Sequence, residues 1–120
     1  DLQPDSAEAA TRRLLSAGVP FTAVFCGNDP TAVSVLRVLR DAGVRVPEQV
    51  SVVGFDDDIA AHTVPALTTV RVHKEAMGAI AVRRLLDRAA RPYLLPHTIT
   101  TPVELVERGS VADAPRREEQ

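Results

Sequence analysis

The chain has 120 residues, of which 45% are hydrophobic and 25% charged, and its formal net charge at pH 7 is -2. This length suits one domain around one core, and the composition is typical of a globular α/β protein. The slightly acidic balance argues against a DNA-binding surface, because phosphate contacts need clustered lysine and arginine, and no apolar run approaches the roughly 20 residues of a membrane helix.

The first two elements are predicted to be a helix and a buried strand. Residues 5–17 carry apolar side chains at helical spacing, Asp5 suits the N-cap, and Glu8 would close a capping box. Residues 21–26 form a short apolar run of the kind found in strands that are covered on both faces. The single cysteine, Cys26, is therefore predicted to be a buried hydrophobe in a reducing, cytoplasmic setting.

A strand-to-helix turn follows at residues 27–30. Asn28 or Asp29 is suited to cap the first amides of the next helix, and Pro30 suits its first position. The helix is predicted to run to about Ala42. Its valines and leucines cover more than one stripe, which predicts one face on the sheet and another on a partner.

The second half of the chain continues this alternation. Residues 50–55 predict a second buried strand, which finishes in the acidic cluster of residues 56–58. A loop is predicted over residues 59–67 and a third strand over residues 68–72. Residues 75–90 then have the pattern of a helix, which a proline ends.

The order of elements predicts an α/β fold with a Rossmann-like parallel sheet flanked by helices and joined by right-handed crossovers. Ligands of such sheets bind outside the carboxyl ends of the strands, where Asn28 and Asp56 fall. Residues 99–106 alternate apolar and polar side chains around Pro102, which predicts an extended segment at a sheet edge. From Ala112 onward the charged tail is predicted to be disordered.

Four stretches make the chain resemble a known family. They are TAVFCGND, LRDAGVRVPEQVSVVGFDD, PALTTVRV and TPVELVERGSVA. In order and spacing they are similar to the C-terminal half of the LacI/GalR-family transcriptional regulators, over about residues 5–112. The resemblance implies a core like that of the type I periplasmic binding proteins, with two subdomains and a small effector in the cleft between them. It also implies a helix-turn-helix headpiece, absent from this chain, that binds operator DNA.

The resemblance further implies how the chain divides. Residues 1–72 would belong to the C-terminal effector-binding subdomain, and residues 73–101 would be a crossover segment with a helix that normally packs in the N-terminal subdomain. Residues 102–112 would return to the C-terminal subdomain, and residues 113–120 would be a disordered tail. The chain is thus expected to be a truncated subdomain from a longer protein.

Three residues are candidates for effector binding: Asn28, Asp56 and His73. For Asn28, capping the next helix and binding the effector are about equally favoured, and one side chain could do both. For Asp56, the resemblance favours ligand binding over the turn role that is commoner for an aspartate after a strand. Asp57 and Asp58 are assigned turn and surface roles.

The resemblance also implies a dimer. A two-fold interface is predicted between the helix of residues 30–42 and the loop of residues 59–64, because valines on a second helix face need cover. Four residues are placed at or near its centre, namely Val33, Arg37, Ala60 and Val64.

The predicted function is that of an effector-sensing and dimerisation fragment of a LacI-family DNA-binding transcriptional regulator. It would bind a sugar or a nucleobase, without enzymatic activity, cofactor or metal. A periplasmic sugar-binding protein of a transporter is the alternative within the fold. A Mg²⁺-dependent phosphatase-like enzyme is the alternative from another class, since three consecutive aspartates suit Mg²⁺. The phosphatase alternative is disfavoured because Ala60 stands where the haloacid-dehalogenase pattern has threonine or valine, two residues after its second aspartate.

The helix of residues 75–90 lacks the neighbours that the family would give it. Its apolar face, with Met77, Ile80 and Leu86, would be costly to leave in water. We therefore expect this helix to fold back on its own subdomain or to dock on another copy of the chain.

Overall fold

A computed structural model describes residues 2–114, and one mixed sheet organises them. The elements in chain order are α1 (Pro4–Ser16), β1 (Ala23–Phe25), α2 (Asp29–Asp41), β2 (Ser51–Asp56), a 3-10 helix (Ala60–His62), β3 (Thr68–Val72), α3 (Lys74–Ala90) and β4 (Val103–Val106). The strands lie in the order β1-β2-β3-β4; the first three are parallel and β4 is antiparallel to β3. The predicted α/β fold with a mainly parallel sheet is confirmed. Of the tail predicted to be disordered, residues 115–120 lie outside the described residues.

The start of α1 differs from the prediction. Gln3 occupies the N-cap and Pro4 stands in the first turn, so Asp5 is inside the helix and is not its cap. The reason is that the proline ring fixes a helical φ and needs no partner for a backbone N–H. Glu8 closes no capping box and instead accepts a hydrogen bond from the Arg12 guanidinium at 2.9 Å.

The hydrophobic core lies between α2 and the parallel strands. Its buried members are Cys26, Ala32, Val35, Leu36, Leu39, Val50, Val52, Ala60 and Leu67. Burying each larger aliphatic side chain stabilises the fold by roughly 1.5–3 kcal/mol. Burial also raises the pKa of the Cys26 thiol to about 11, so this cysteine is protonated at neutral pH and behaves as the predicted small hydrophobe.

The segment after β4 crosses the amino ends of β2 and β3 and joins them. Ser110 is fully buried there. Its hydroxyl donates to the Val52 carbonyl oxygen at 2.5 Å and accepts from the Thr68 amide at 2.8 Å, while its carbonyl oxygen accepts from the Val52 amide at 2.8 Å. One serine therefore satisfies backbone groups that two parallel strands leave open where they begin.

Helix α3 projects from the sheet. None of its residues is buried, and Leu85 and Leu86 are 69% and 64% exposed. Residues 94–101 run back beside the helix and form an apolar cleft with it. The expectation that α3 folds back on its own subdomain is therefore wrong. The ladder between β3 and β4 ends at the pair Val72 and Val103, so the chain leaves the sheet after Val72 and re-enters it at Val103. Helix α3 extends away from the sheet between these two points.

Candidate functional site

A polar pocket lies at the carboxyl ends of β2 and β3. The register pairs Asp56 at the end of β2 with Arg71 near the end of β3, so the residues that follow both strands meet at one edge. The pocket is lined by residues 56–58 and residues 71–76. Two of the three predicted effector residues, Asp56 and His73, are thereby brought together, at the edge where open parallel sheets hold their ligands.

The carboxylate of Asp56 is a partly exposed acceptor in this pocket. Its side chain is 29% exposed, and the Lys74 ammonium lies 3.4 Å from its Oδ1. Lys74 also contacts Asp58 Oδ2 at 2.5 Å, and hydrogen bonds to Asp58 and then to Asp56 raise the pKa of the lysine. The pocket thus offers an acceptor and a donor side by side, which suits a ligand rich in hydroxyl or ring N–H groups.

The backbone of the turn after β2 is held in an unusual conformation. Asp56 has φ 106° and Asp57 has φ 61°, in the left-handed region that residues other than glycine seldom adopt. Each such residue costs of order 1–3 kcal/mol, and it persists only where its surroundings fix it. The contacts of Asp57 and Asp29 provide that fixation.

Asp57 lies in the turn, but its predicted surface role is wrong. Its side chain is only 8% exposed and forms ion pairs with Arg71 and Arg108, each at 2.7 Å. Burial by itself would raise the pKa of Asp57, but hydrogen bonds from the two arginines, together with their charges, outweigh it and lower the pKa below its usual value. Arg108 also donates to the Leu67 carbonyl oxygen at 2.9 Å, so Asp57 attaches the turn to β3 and to the segment after β4.

Asp29 holds the same turn from the other side. This first residue of α2 is fully buried, its Oδ1 accepts from the Thr69 hydroxyl at 2.7 Å, and its Oδ2 accepts from the Asp58 amide at 2.9 Å. A Cβ atom on Gly54 would lie 2.5 Å from Asp29 Oδ1, so only glycine leaves room for this carboxylate. The sequence suggested a capping role for Asp29, and nothing local in it pointed to a contact 29 residues away.

Asn28 caps α2 and lies outside the polar pocket. Its Oδ1 accepts from the Thr31 amide at 2.9 Å, and its Nδ2 donates to the Leu2 carbonyl oxygen at 3.1 Å. The capping role weighed for Asn28 is therefore present, at the end of the neighbouring strand β1. Its role in effector binding stays a prediction.

A second surface, which we call the α2 groove, lies between α2 and the loop after β2. It is lined by Val33, Leu36, Arg37, Arg40, Ile59, His62, Thr63 and Val64. Three of the four residues predicted for a dimer interface therefore share one surface, and Val64 is 89% exposed there. The fourth, Ala60, has no accessible surface because it packs in the core. It supports the groove from beneath and cannot contribute a side-chain contact to a second chain.

Residues 2–114 contain neither a candidate metal cluster nor a candidate membrane span. In that part of the chain, His, Cys, Asp and Glu form no group of three or more that could hold a metal ion. The helices found there also lack the combination of length and apolar character that crossing a membrane requires.

Comparison with known proteins places the chain in a family. The family model of the periplasmic binding protein-like domain matches residues 2–111. The HTH-type transcriptional repressor PurR of Escherichia coli O1:K1 / APEC is 40% identical over 119 residues, which are 98% of this chain and 35% of that protein.

Solved structures agree with this placement. The transcriptional regulator CelR in complex with cellobiose is 40% identical and superposes with a TM-score of 0.86 over 92% of this chain and 34% of that one. The Lac repressor dimer bound to operator and the anti-inducer ONPF is 30% identical, with a TM-score of 0.85 over 92% of this chain and 39% of that one. The chain spans about a third of the length of the curated relatives it matches. It belongs to the periplasmic binding protein-like domain family, and the relatives that it resembles there are LacI-family transcriptional regulators.

Proposed function

We propose that this chain is the effector-sensing and dimerisation part of a LacI-family transcriptional regulator and has no enzymatic activity. The observation that carries the proposal is the meeting of Asp56, His73 and Lys74 in one polar pocket at the carboxyl ends of β2 and β3. The second supporting surface is the α2 groove, which is apolar and exposed. A sensor needs both a ligand site and a surface whose geometry the ligand alters.

The chemistry of the pocket favours a small neutral effector with several hydroxyl or ring N–H groups, a sugar or a nucleobase. Lys74 already pairs with Asp56 at 3.4 Å and with Asp58 at 2.5 Å, so a neutral ligand leaves these ion pairs in place and adds no charge to the site. Its polar groups would accept from the ammonium and donate to the carboxylate. The relative CelR was solved with cellobiose, which supports the sugar class.

The proposed assembly is a homodimer formed through the α2 groove. The Lac repressor relative was solved as a dimer bound to operator, which supports both the dimer and the DNA partner. We assign operator binding to a helix-turn-helix headpiece outside these 120 residues, because a net charge of -2 disfavours binding of this chain to DNA phosphates. A regulator of this kind acts in the cytoplasm.

Thermal unfolding in the presence of candidate effectors tests the proposal. A compound that binds only the native state raises the melting temperature according to its concentration over Kd. We expect a sugar such as cellobiose, or a nucleobase such as adenine or guanine, to stabilise the protein, and Asp56→Ala to lose that stabilisation. If no sugar or nucleobase shifts the wild-type transition at millimolar concentration, the proposed function is wrong. Hydrolysis of p-nitrophenyl phosphate with Mg²⁺ would instead support the phosphatase alternative.

A further inference from the structure

We infer that Asp29 is a positioning residue that links the polar pocket to the α2 groove through its hydrogen bond to the Asp58 backbone. Asp29 reaches neither the ligand pocket nor the groove surface, because it is fully buried. It acts instead on the turn that carries Asp56. The inference rests on the proposed function, since a link of this kind matters where the pocket holds an effector and the groove holds a second subunit.

The first step concerns the turn itself. Asp56 and Asp57 are held at φ 106° and 61°, conformations that depend on outside contacts. The ion pairs of Asp57 attach the turn to β3 and to the segment after β4. The bond from the Asp58 amide to Asp29 Oδ2, at 2.9 Å, attaches it to α2.

The second step concerns the buried carboxylate. Asp29 stands in the first turn of the 13-residue helix α2, where the free amides of a helix favour negative charge. Its remaining oxygen is engaged by the Thr69 hydroxyl, and Gly54 leaves the space that it occupies. Three elements are thus adapted to hold this carboxylate in one orientation, facing the Asp58 amide.

The third step concerns the groove. Val33 and Arg37 lie about one and two helical turns beyond Asp29 and form the α2 wall of the groove. Ile59, the residue directly after Asp58, begins the opposite wall. One wall therefore starts at the acceptor of this hydrogen bond, and the other wall starts at its donor. A ligand that moves the Asp56 carboxylate shifts the turn; the backbone carries the shift into Ile59, and the hydrogen bond carries it to α2.

Nuclear magnetic resonance on the 120-residue protein tests this link without any effector. Asp29→Ala removes both acceptors. Asp29→Asn is the conservative rescue, because its amide oxygen still accepts from the Asp58 amide while its NH₂ donates to the Thr69 hydroxyl. Ser110→Ala is the matched control, since it removes buried hydrogen bonds at the opposite end of the same strands. The measurements are amide exchange at Asp58, relative to Val52, and the methyl chemical shifts of Val33 and Ile59.

We expect Asp29→Ala to speed Asp58 exchange by about tenfold or more beyond any change at Val52, and to move the methyl signals of both groove walls. Asp29→Asn should restore wild-type values, and Ser110→Ala should leave both groove signals in place. Unmoved methyl signals in Asp29→Ala, or an asparagine variant that behaves like alanine, would overturn the inference. If the alanine variant does not fold, an unprotected Asp58 amide in the wild type overturns it. Failure of every candidate effector would refute the proposed function and leave these measurements unaffected.

Discussion

At the scale of single residues, Asp56 is the side chain that we propose contacts an effector most directly. We expect Asp56→Ala to abolish the effector-induced rise in melting temperature and to change the stability of the free protein by less than about 1 kcal/mol, because the carboxylate is partly exposed and its removal leaves no cavity. Asp56→Gly should lose the same response while folding at least as stably, since glycine adopts φ 106° without strain. Calorimetric titration measures the effector affinity, and thermal unfolding without effector measures the stability of the free protein. Unchanged effector affinity in either variant would rule out Asp56 as a ligand.

Asp57 gives the protein a pH dependence whose sign follows from its lowered pKa. A carboxyl group whose pKa is lower in the folded state stabilises the fold above its unfolded pKa, about 3.8, and this contribution is lost as pH falls through the folded value. Wild-type stability should therefore decline below pH 4, and Asp57→Asn should flatten that decline.

At pH 7 the same Asp57→Asn variant should be less stable than wild type. The loss should lie between the ~0–1 kcal/mol of an exposed ion pair and the ~3–5 kcal/mol of breaking a buried one, because Arg71 stays partly in water. Urea unfolding from pH 3 to pH 7 measures both quantities. If the stability of the wild type and of Asp57→Asn changes with pH in the same way, the pH dependence does not come from Asp57.

Residue roles were predictable where the signal was local. Asn28 and Asp29 follow an apolar run and stand just before a proline, which is enough to predict that one of them caps α2. Asp56 ends a buried strand, which is enough to place it at the ligand edge of the sheet. Asp57 was not predictable, because its partners Arg71 and Arg108 become neighbours only when β3 and the last segment pack beside the turn.

At the scale of elements, the α2 groove makes the dimer testable. Val33→Asp would place one charge in each half of a two-fold apolar contact, so that a single substitution acts twice. We expect this variant to sediment as a monomer at concentrations where the wild type is a dimer. Leu14→Asp, on the exposed face of α1 at 41% exposure, is the matched control and should remain dimeric. A Val33→Asp protein with the wild-type sedimentation coefficient would place the interface elsewhere.

The segment after β4 should contribute measurably to stability through Ser110. Ser110→Ala leaves the Thr68 amide and one acceptor site on Val52 without a partner in a buried place. Such a loss costs roughly 1–3 kcal/mol. Chemical denaturation should show it as a lower midpoint with an unchanged slope. A midpoint equal to that of the wild type would mean that water replaces the hydroxyl.

Helices and strands were predicted correctly where the residue pattern of the element was clear. The strand predicted over residues 68–72 has those bounds in the structure, because four of its five residues are β-branched and favour a strand. The helix start at α1 was missed although Pro4 signalled it, since an acidic residue beside the proline offered a competing cap. The expectation that α3 folds back was also wrong, because strand register decides where the chain leaves the sheet and periodicity carries no information on it.

At the scale of the whole molecule, α3 and residues 94–101 leave an apolar cleft in water. Exposed patches of this kind mark interaction sites, and docking on another copy of the chain stays our prediction. Above the concentrations at which Val33→Asp is a monomer, that variant should therefore still self-associate, and this association should fall when Leu85, which lines the cleft, and the exposed Leu86 beside it are both replaced by serine. Sedimentation over a concentration series measures this. If the Val33→Asp protein is already monomeric at every concentration, the cleft binds no second copy.

The antiparallel pairing of Val72 with Val103 also limits how α3 can move. The chain leaves the sheet after Val72 and returns before Val103, and these two positions are direct neighbours in the ladder, about 5 Å apart. A unit attached through one strand could turn about any axis, whereas two adjacent attachments leave one easy rotation, about the line that joins them. The pocket residues His73 and Lys74 sit at one of these attachments. A ligand held there would therefore act on the rotation of α3 about this one axis.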